Sequence, residues 1–309
     1  MSIKVLNGDC LEVLDQLTEK SVDTCITSPP YYGLRNYERE GQIGLEETPE
    51  EYVEKMVEVF RKVRRVLKDE GTVWLNLGDS YASNHYTGAR DSDTGWKHGE
   101  LSQGYQARAG GAGGVFKVKD LMGIPWMVAF ALRADGWYLR QDIIWHKPNP
   151  MPESVTDRCT KAHEYIFLLS KQKKYYYDHE AIKQPVKEDW GTRDRTDGKY
   201  HNEGTGLSPH TGLEDSYESA NKRSVWTVTT KPFKGAHFAV FPPDLIEPCV
   251  LAGCPEDGTV LDPFGGAGTT GLVADRNGRN AILIELNDEY AEMAIDRLYN
   301  DAPLFVDIE

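Results

Sequence analysis

The stretch TVLDPFGGAGTTGLVADRNGRNAILIELNDEY, residues 259–290, decides the fold expected of this chain. It has the pattern of a strand, a glycine-rich turn, a helix and a second strand that ends in an acidic residue. Glycines at such a turn let the backbone approach a ligand closely at the N-terminus of the helix. The segment therefore predicts a β-loop-α-β unit that binds a nucleoside-containing ligand.

Individual residues of this unit have distinct expected roles. Gly265, Gly266 and Gly268 provide the tight turn, and Glu285 follows at about the spacing of a carboxylate that binds ribose hydroxyls. The glycines are not followed by Lys with Ser or Thr, which argues against a phosphate-binding P-loop. The pattern indicates a nucleoside cofactor without identifying it.

Short apolar strand patterns recur along the chain and alternate with helical patterns. Such alternation predicts an α/β fold with a mostly parallel sheet covered by helices on both faces. The strand patterns lie at 3–7, 22–27, 72–77, 141–146, 164–170, 259–264 and 281–286.

The clearest helical pattern follows Thr48. Thr48 is a good N-cap, Pro49 suits the first helical position, and Glu51 completes a capping box. Apolar residues then recur at helical spacing as far as Leu67. Gly71 is the expected end of this helix.

Bulk composition limits the classes of protein that fit. The chain has 309 residues, 39% of them hydrophobic, which is enough for a full α/β core. We expect a cytoplasmic protein, because no apolar run is long enough to span a membrane and the start shows no secretory leader. Five scattered cysteines predict buried reduced thiols, with neither disulfides nor a metal site.

Two segments interrupt the alternation of strands and helices. Residues 86–120 contain ARAGGAGG, and residues 186–224, within the wider segment 178–235, are polar, with Gly, Ser, Asp and Asn throughout. They are too long for ordinary connections, so they are either surface insertions or recognition loops mounted on the sheet. Basic and acidic residues balance within them, so the net charge of −14 belongs to the rest of the chain. An acidic body does not exclude a local nucleic-acid-binding cleft.

A second motif, TSPPYY at 27–32, ends the strand pattern 22–27 with two prolines and two tyrosines. Taken alone it is compatible with a proline-rich turn. Together with the glycine loop, however, TSPPY resembles the catalytic motif of amino-methylating DNA methyltransferases, and DPFGGAGTT with Glu285 is similar to their S-adenosylmethionine loop. The catalytic motif comes first here, as in the circularly permuted β group of that family.

This resemblance covers most of the chain and leaves out the two long segments. It implies a Rossmann-like methyltransferase fold with a seven-stranded, mostly parallel sheet, circularly permuted. Residues 1–309 then form a single catalytic domain, in which 86–120 and 178–235 are inserted target-recognition segments.

The resemblance also implies how the catalytic motif works. The Ser28 hydroxyl and the Pro29 carbonyl accept hydrogen bonds from an exocyclic base amine, whose lone pair is otherwise delocalised into the ring. Pro30 helps to lock the backbone, and Tyr31 stacks on a base turned out of the duplex. The mechanism requires neither a metal nor a covalent intermediate.

Several residues are expected to contact S-adenosylmethionine. Asp262 accepts from its α-ammonium or, alternatively, caps the next helix. Asp9 contacts the adenine amine or acts as a plain N-cap, and Phe241 packs on the cofactor or in the core. Further contacts are expected from Cys10, Phe264, Gly265, Gly266, Gly268, Thr269, Thr270 and Glu285. The strand-end residues Trp145, His146 and Lys147 lie near this site and receive no role.

These features predict an S-adenosylmethionine-dependent methyltransferase that acts on double-stranded DNA. Cytosine N4 is favoured over adenine N6, because serine rather than aspartate precedes the prolines. RNA or protein amides are alternative substrates, and an inactive cofactor-binding scaffold is opposed by the intact motifs. A homodimer and a companion restriction nuclease are both compatible with the resemblance.

Overall fold

A computed structural model of the protein describes residues 1–34, 39, 41–82, 116–185, 219–230, 241–301 and, as backbone alone, 307–308. Its elements are, in chain order, β1 (Ser2–Asn7), α1 (Cys10–Gln16), β2 (Val22–Thr27), α2 (Pro49–Val66), β3 (Leu67–Leu77), α3 (Ile124–Ala134), β4 (Tyr138–His146), β5 (His163–Ser170), β6 (Gln184–Pro185), β7 (Ser219–Ala220), β8 (Val225–Thr227), α4 (Pro243–Gly253), β9 (Thr259–Asp262), α5 (Thr269–Arg276), β10 (Asn280–Glu285), α6 (Asp288–Asp301) and β11 (Asp307–Ile308).

The main sheet of the described part has the strand order β11-β1-β10-β9-β2-β3-β5-β4-β8. All neighbouring strands are parallel except at β5, which runs antiparallel to both β3 and β4. The seven strands predicted from the sequence are all present. The expected number was too low, because the short strands β8 and β11 extend the sheet at its two edges.

Helices cover both faces of this sheet, as predicted. The apolar sides of α1, α2 and α3 form one core with the sheet, which includes Leu14, Phe60 and Leu132. The helices α4, α5 and α6 form a second core, with Val250 and Leu298 among its buried residues. Burial of apolar surface on both faces is the main source of stability for a sheet of this kind.

The order of strands brings together parts of the chain that are far apart in sequence. Strand β2 lies between β9 and β3 and is parallel to both. The carboxyl ends of parallel strands lie at the same edge of a sheet, so the residues after Thr27 and the residues after Asp262 face one crevice. Ligands of open α/β sheets bind in crevices of this kind.

Helix α2 begins as predicted and ends earlier. Thr48 and Glu51 form the capping box, and Pro49 is the first helical residue. The helix stops at Val66, however, and β3 starts at Leu67. Gly71 therefore does not end the helix but lies within β3, where an added Cβ would come within 2.4 Å of the Leu67 side chain.

The cysteine prediction is only partly correct. Cys10, Cys25, Cys249 and Cys254 are buried free thiols, whereas Cys159 is a free thiol at the surface. Cys159 lies in the connection between β4 and β5 rather than in an apolar strand or helix. Across the described ranges, the helices are too short or too polar to cross a membrane.

The two long segments fall mostly outside the described residues. Of 86–120, the structure describes 116–120; of 178–235, it describes 178–185 and 219–230. The short strands β6 and β7 form a separate antiparallel pair at the two ends of the gap 186–218.

Candidate active site

A cavity of about 800 Å³ opens at the carboxyl edge of the sheet, where β2, β9 and β10 end. Most residues expected in a site line it: Asp9, Cys10, Ser28, Pro29, Pro30, Tyr31, Phe241, Asp262, Phe264, Gly265, Gly266, Thr269 and Glu285. Gly268 and Thr270 do not line the cavity. Phe264 packs against the core beneath α1–α3 and Phe241 against the opposite core.

The glycine loop forms one wall and is bonded to the end of β10. The Gly266 amide donates to Glu285 Oε2 at 2.7 Å, and the Asn287 amide donates to Oε1 at 2.9 Å. Burial raises the pKa of Glu285. Each carboxylate oxygen has two lone pairs, so Glu285 can still accept hydrogen bonds from a ligand in the cavity.

Gly268 and Arg297 shape the loop from its far side. Gly268 has φ +74°, and an added Cβ would lie 2.9 Å from the Ala294 Cβ of α6. The Arg297 guanidinium donates to the Ala267 carbonyl at 2.9 Å and to Thr269 Oγ1 at 2.8 Å. The loop is therefore held close to α6, with Gly268 facing that helix rather than the cavity.

Asp262 is buried at the end of β9 and joins three parts of the chain. The hydroxyls of Thr27 and Thr270 donate to its two carboxylate oxygens, each at 2.6 Å, and the Phe264 amide donates at 3.1 Å. Burial raises the pKa of Asp262 to about 6, against these hydrogen bonds, which lower it. Asp262 thus connects the ends of β2 and β9 and also reaches the cavity.

Asp9 and Cys10 lie at the start of α1, on the rim of the cavity. Asp9 Oδ1 accepts from the amides of Leu11 at 2.7 Å and Glu12 at 3.3 Å, which makes Asp9 the N-cap of α1. Burial raises the pKa of the Cys10 thiol to about 12, so the thiol stays protonated. Asp9 is therefore both a helix cap and a cavity-lining carboxylate.

The Ser28–Tyr31 motif follows β2 and lines the same cavity as the glycine loop. Tyr52 of α2 is buried, and its hydroxyl donates to the Pro30 carbonyl at 2.9 Å. Gly44 approaches from another side, since an added Cβ there would lie 3.2 Å from the Tyr31 carbonyl. The motif is thus packed between the end of β2 and the first turn of α2.

The Tyr31 side chain interacts with Ser28 of the motif and is also held by residues outside the motif. Its hydroxyl donates to Glu164 Oε2 at 2.7 Å, and Asn76 Oδ1 lies 3.3 Å away. Its ring lies over Gly78, where an added Cβ would come within 2.5 Å of it. Burial and the Glu164 charge raise the pKa of the Tyr31 hydroxyl, which therefore remains a hydrogen-bond donor.

Glu164 also forms an ion pair with Lys147, whose ammonium lies 4.2 Å from the centre of the Trp145 ring. Trp145, Lys147, Glu164 and Asn76 all line the cavity. Sequence reasoning placed Trp145 and Lys147 near the site but missed Glu164 and Asn76. A signal was present at Glu164, because a charged residue starts an otherwise apolar strand pattern.

Comparison with known proteins agrees with this geometry. The sequence matches the N6/N4 DNA methylase family over residues 22–296. The type II methyltransferase M.SmaI of Serratia marcescens is 46% identical over 297 residues, which cover 96% of this chain and 91% of the relative.

Two solved structures share the fold. One is a protein of Thermus thermophilus described as a putative DNA modification methylase, complexed with S-adenosyl-L-methionine. Its TM-score is 0.62 at 24% identity, over 99% of this chain and 97% of that one. The other is PvuII DNA methyltransferase, described as cytosine-N4-specific, with a TM-score of 0.63 at 19% identity over 100% and 96% of the two chains.

The sheet order and the cavity at its carboxyl edge define a Rossmann-like methyltransferase fold in which the SPPY motif precedes the glycine loop. The methyltransferase fold and the order of the two motifs were predicted from the sequence and are confirmed. Within this class the chain belongs to the N6/N4 DNA methylase family, since the family match and the 46% identical relative each span most of its length.

Proposed function

We propose that this DNA methyltransferase transfers a methyl group from S-adenosylmethionine to the exocyclic amine of a base flipped out of double-stranded DNA. The favoured target atom is cytosine N4 rather than adenine N6. The observation that carries the proposal is that the glycine loop and the SPPY motif line the same cavity, about 800 Å³ in volume. Both reactants can therefore meet in one enclosure.

The residues of the cavity fit S-adenosylmethionine, the cofactor of this family. Gly266, at φ +50°, leaves the loop without a side chain where a ligand approaches. Asp9 and Glu285 supply acceptors for the adenine amine and the ribose hydroxyls, and Asp262 supplies one for the α-ammonium. Phe241 and Phe264 offer apolar surface for the adenine ring.

The cofactor supplies an electrophilic methyl group on a sulfonium, and the protein has to expose the lone pair of a conjugated amine. We assign the Ser28 hydroxyl and the Pro29 carbonyl as acceptors for the amine hydrogens. The Pro30 carbonyl already accepts from Tyr52, which fixes the peptide next to them. With geometry set in this way, orientation accounts for most of the catalysis.

Ser28 supports the choice of cytosine N4. A hydroxyl accepts from the amine and can also donate towards a neighbouring ring acceptor, whereas an ionised aspartate at this position could only accept. Aspartate is the usual companion of adenine in this family. Ser28 therefore favours N4-methylcytosine as the product.

The experiment is incubation with methyl-labelled S-adenosylmethionine and unmethylated double-stranded DNA, followed by digestion to nucleosides and mass spectrometry. We expect label in N4-methylcytosine, and none with Ser28→Ala. Label in adenine alone would contradict the choice of base and leave the rest of the mechanism standing. Parallel RNA and protein pools test the alternative substrates, and an absence of label in every pool would support the inactive scaffold.

We also propose that 86–120 and 178–235 recognise the DNA sequence around the target within one catalytic domain, 1–309. The balance of basic and acidic residues in both segments and their length support this proposal. Most of both segments lies outside the described residues, so the support comes from the sequence alone. Sequencing that detects modified bases in DNA from expressing cells would identify the recognition site. That the protein forms a homodimer and that it acts beside a companion restriction nuclease both remain predictions.

A further inference from the structure

We propose that Glu164 is a positioning residue for methylation, which fixes the ring of Tyr31 before the target base arrives and is itself held by Lys147. The inference rests on the proposed function at one point, namely that Tyr31 stacks on the flipped base. It adds two residues from a different part of the sheet to the four-residue motif.

The hydrogen bonds at Glu164 assign its two oxygens to different partners. Oε2 accepts from the Tyr31 hydroxyl at 2.7 Å, and Oε1 is paired with the Lys147 ammonium. The Asn76 amide lies 3.4 Å from Oε2 and donates to the Tyr165 carbonyl at 3.0 Å. Tyr31 thus bonds to the carboxyl group that is paired with Lys147, and hydrogen bonds within ion pairs are the stronger kind.

The position of Glu164 follows from the direction of β5. This strand is antiparallel to its neighbours, so its first residues lie at the edge where the parallel strands end. Glu164 is opposite Trp145 in the register of β4 and β5, and the Lys147 amide donates to the Ala162 carbonyl at 2.8 Å. Backbone pairing therefore places the carboxylate and the ammonium side by side.

Lys147 is also restrained on its other side. Its ammonium lies 4.2 Å from the centre of the Trp145 ring, and the Trp145 indole N–H donates to the Val228 carbonyl at 2.8 Å. The ammonium therefore sits between a carboxylate and an aromatic face that is itself fixed. This arrangement keeps the Glu164 carboxyl group directed at the Tyr31 hydroxyl.

The effect on Tyr31 is that both ends of its side chain are fixed. Gly78 lets the ring lie flat against the end of β3, and Glu164 fixes the hydroxyl. A ring that is already oriented loses little freedom when a base stacks on it, which favours base capture. Removing either the hydroxyl or the carboxylate should free the ring.

A purely structural role for the ion pair is the competing explanation, and Tyr31→Phe separates the two. This change removes the hydroxyl, with its contacts to Glu164 and Ser28, and leaves the Lys147–Glu164 pair intact. The double variant below isolates the share of the effect that passes through Glu164. If Glu164 acts through Tyr31, both Tyr31→Phe and Glu164→Gln raise KM for DNA or lower kcat about tenfold. The affinity for S-adenosylmethionine should stay within about twofold, because neither residue belongs to the glycine loop.

The double variant completes the test. In a Tyr31→Phe background, Glu164→Gln should add less than about a twofold further loss, since the contact is already gone. Glu153→Gln is the matched control, because it breaks a similarly exposed ion pair, with Arg158, outside the cavity. We expect that variant to retain full activity.

The outcomes separate this inference from the proposed function. Additive losses, or a fully active Tyr31→Phe beside an inactive Glu164→Gln, would overturn the positioning role while the wild type still methylates DNA. Failure of the wild type to methylate DNA would instead overturn the proposed function. Should Glu164→Gln fold poorly, Tyr31→Phe alone still decides, because full activity in it contradicts the inference.

Discussion

Gly266 has a backbone conformation on which the proposed cofactor site depends. Its φ of +50° is strained for a β-branched residue, and its amide donates to Glu285 at 2.7 Å. We expect Gly266→Val to weaken S-adenosylmethionine binding at least 100-fold, about 3 kcal/mol, because the side chain occupies space that the ligand needs. Isothermal titration calorimetry on the folded variant measures this.

The control for Gly266→Val is Gly278→Val. Gly278 has a φ of +70° and lies outside the cavity. Valine at this position therefore introduces similar backbone strain without touching the site. Its loss of stability should resemble that of Gly266→Val, while cofactor affinity stays unchanged. Equal cofactor affinity in the two variants would contradict the assignment of the loop.

Asp262 predicts a pH dependence with a defined sign. Its pKa is about 6 in the folded protein, above the ordinary value of about 3.9, so the folded state holds the proton more tightly. Its contribution to the free energy of unfolding is therefore fully present below about pH 4 and is lost as the pH rises through 6. Thermal unfolding from pH 4 to pH 7 should show this slope in the wild type and lack it in Asp262→Asn.

The affinity for S-adenosylmethionine should depend on pH in the opposite direction and increase as the pH rises through 6. If the ionised Asp262 accepts from the α-ammonium, S-adenosylmethionine affinity falls up to about tenfold per pH unit below pH 6. Thr270→Val removes a hydroxyl that lowers this pKa, so the midpoint should move to higher pH. A flat affinity profile in the wild type between pH 5 and pH 7 would show that Asp262 has only a structural role.

Among single residues, those of the site that are adjacent in sequence could be predicted, whereas the distant residues that contact them could not. Ser28–Tyr31 and the glycine loop are each contiguous, so their residue types carry the signal. Glu164 and Tyr52 reach the motif only through strand register and helix packing. Neither relation can be derived without knowing which strands are neighbours.

Helix α2 contributes to the site through its first turn. The Tyr52 hydroxyl donates to the Pro30 carbonyl, so Tyr52→Phe would leave a partly buried carbonyl without this donor. We expect a loss of about 1–3 kcal/mol in the free energy of unfolding and a lower kcat, because the Pro30 peptide is less firmly fixed. Urea denaturation and steady-state methylation assays measure the two effects.

Tyr32→Phe is the control for Tyr52→Phe, because it also removes a tyrosine hydroxyl that donates to a backbone carbonyl. The Tyr32 hydroxyl donates to the Glu47 carbonyl at a longer distance, 3.3 Å, and Tyr32 does not line the cavity. Its removal should affect stability less and leave kcat unchanged. A Tyr52→Phe variant with wild-type kcat would mean that α2 supports the fold but not the geometry of the motif.

The ends of α2 were predictable to different degrees. The capping box at Thr48 has a local chemical signature, and the structure confirms it. The C-terminal end has no comparable signal, because Leu67 continues the helical apolar spacing although it is the first residue of β3. Gly71 looked like a helix terminator and is instead required by close packing within the strand.

For the whole molecule, the long strands and the order of motifs could be read from the sequence. The edge strands β8 and β11 could not, because two or three residues carry no periodic pattern. The antiparallel direction of β5 was also not predictable, since apolar patterns look the same in both directions. That direction is what brings Glu164 to the site.

The two long segments give a prediction at the same scale. Shortening the chain within 186–224 should weaken DNA binding or relax site selectivity, because we propose these residues as DNA-recognition elements. Cofactor affinity should remain nearly unchanged, since the described residues of this range, 219–224, do not line the cavity. Binding assays with specific and nonspecific duplexes, beside calorimetry with S-adenosylmethionine, measure both effects.

Charge reversal provides a finer version of this experiment. Arg193→Glu or Arg195→Glu should reduce the salt dependence of DNA binding if either side chain contacts phosphate; both positions lie outside the described residues. Lys173→Glu is a control at a described position outside the segment and the cavity. A shortened variant that methylates the same site at the wild-type rate would show that the segment is dispensable.

The position of β2 beside β9 also has a consequence for synthesis of the protein on the ribosome. The SPPY motif emerges early, but β9 and β10, which position the cofactor loop, follow more than 200 residues later. Among the described strands, β1 pairs with β10 and β11 alone, so the N-terminal part of the sheet stays incomplete until then. Chains that terminate before β9 would therefore carry the SPPY motif without the glycine loop, and on the proposed assignment of these two motifs we expect them to lack modification activity.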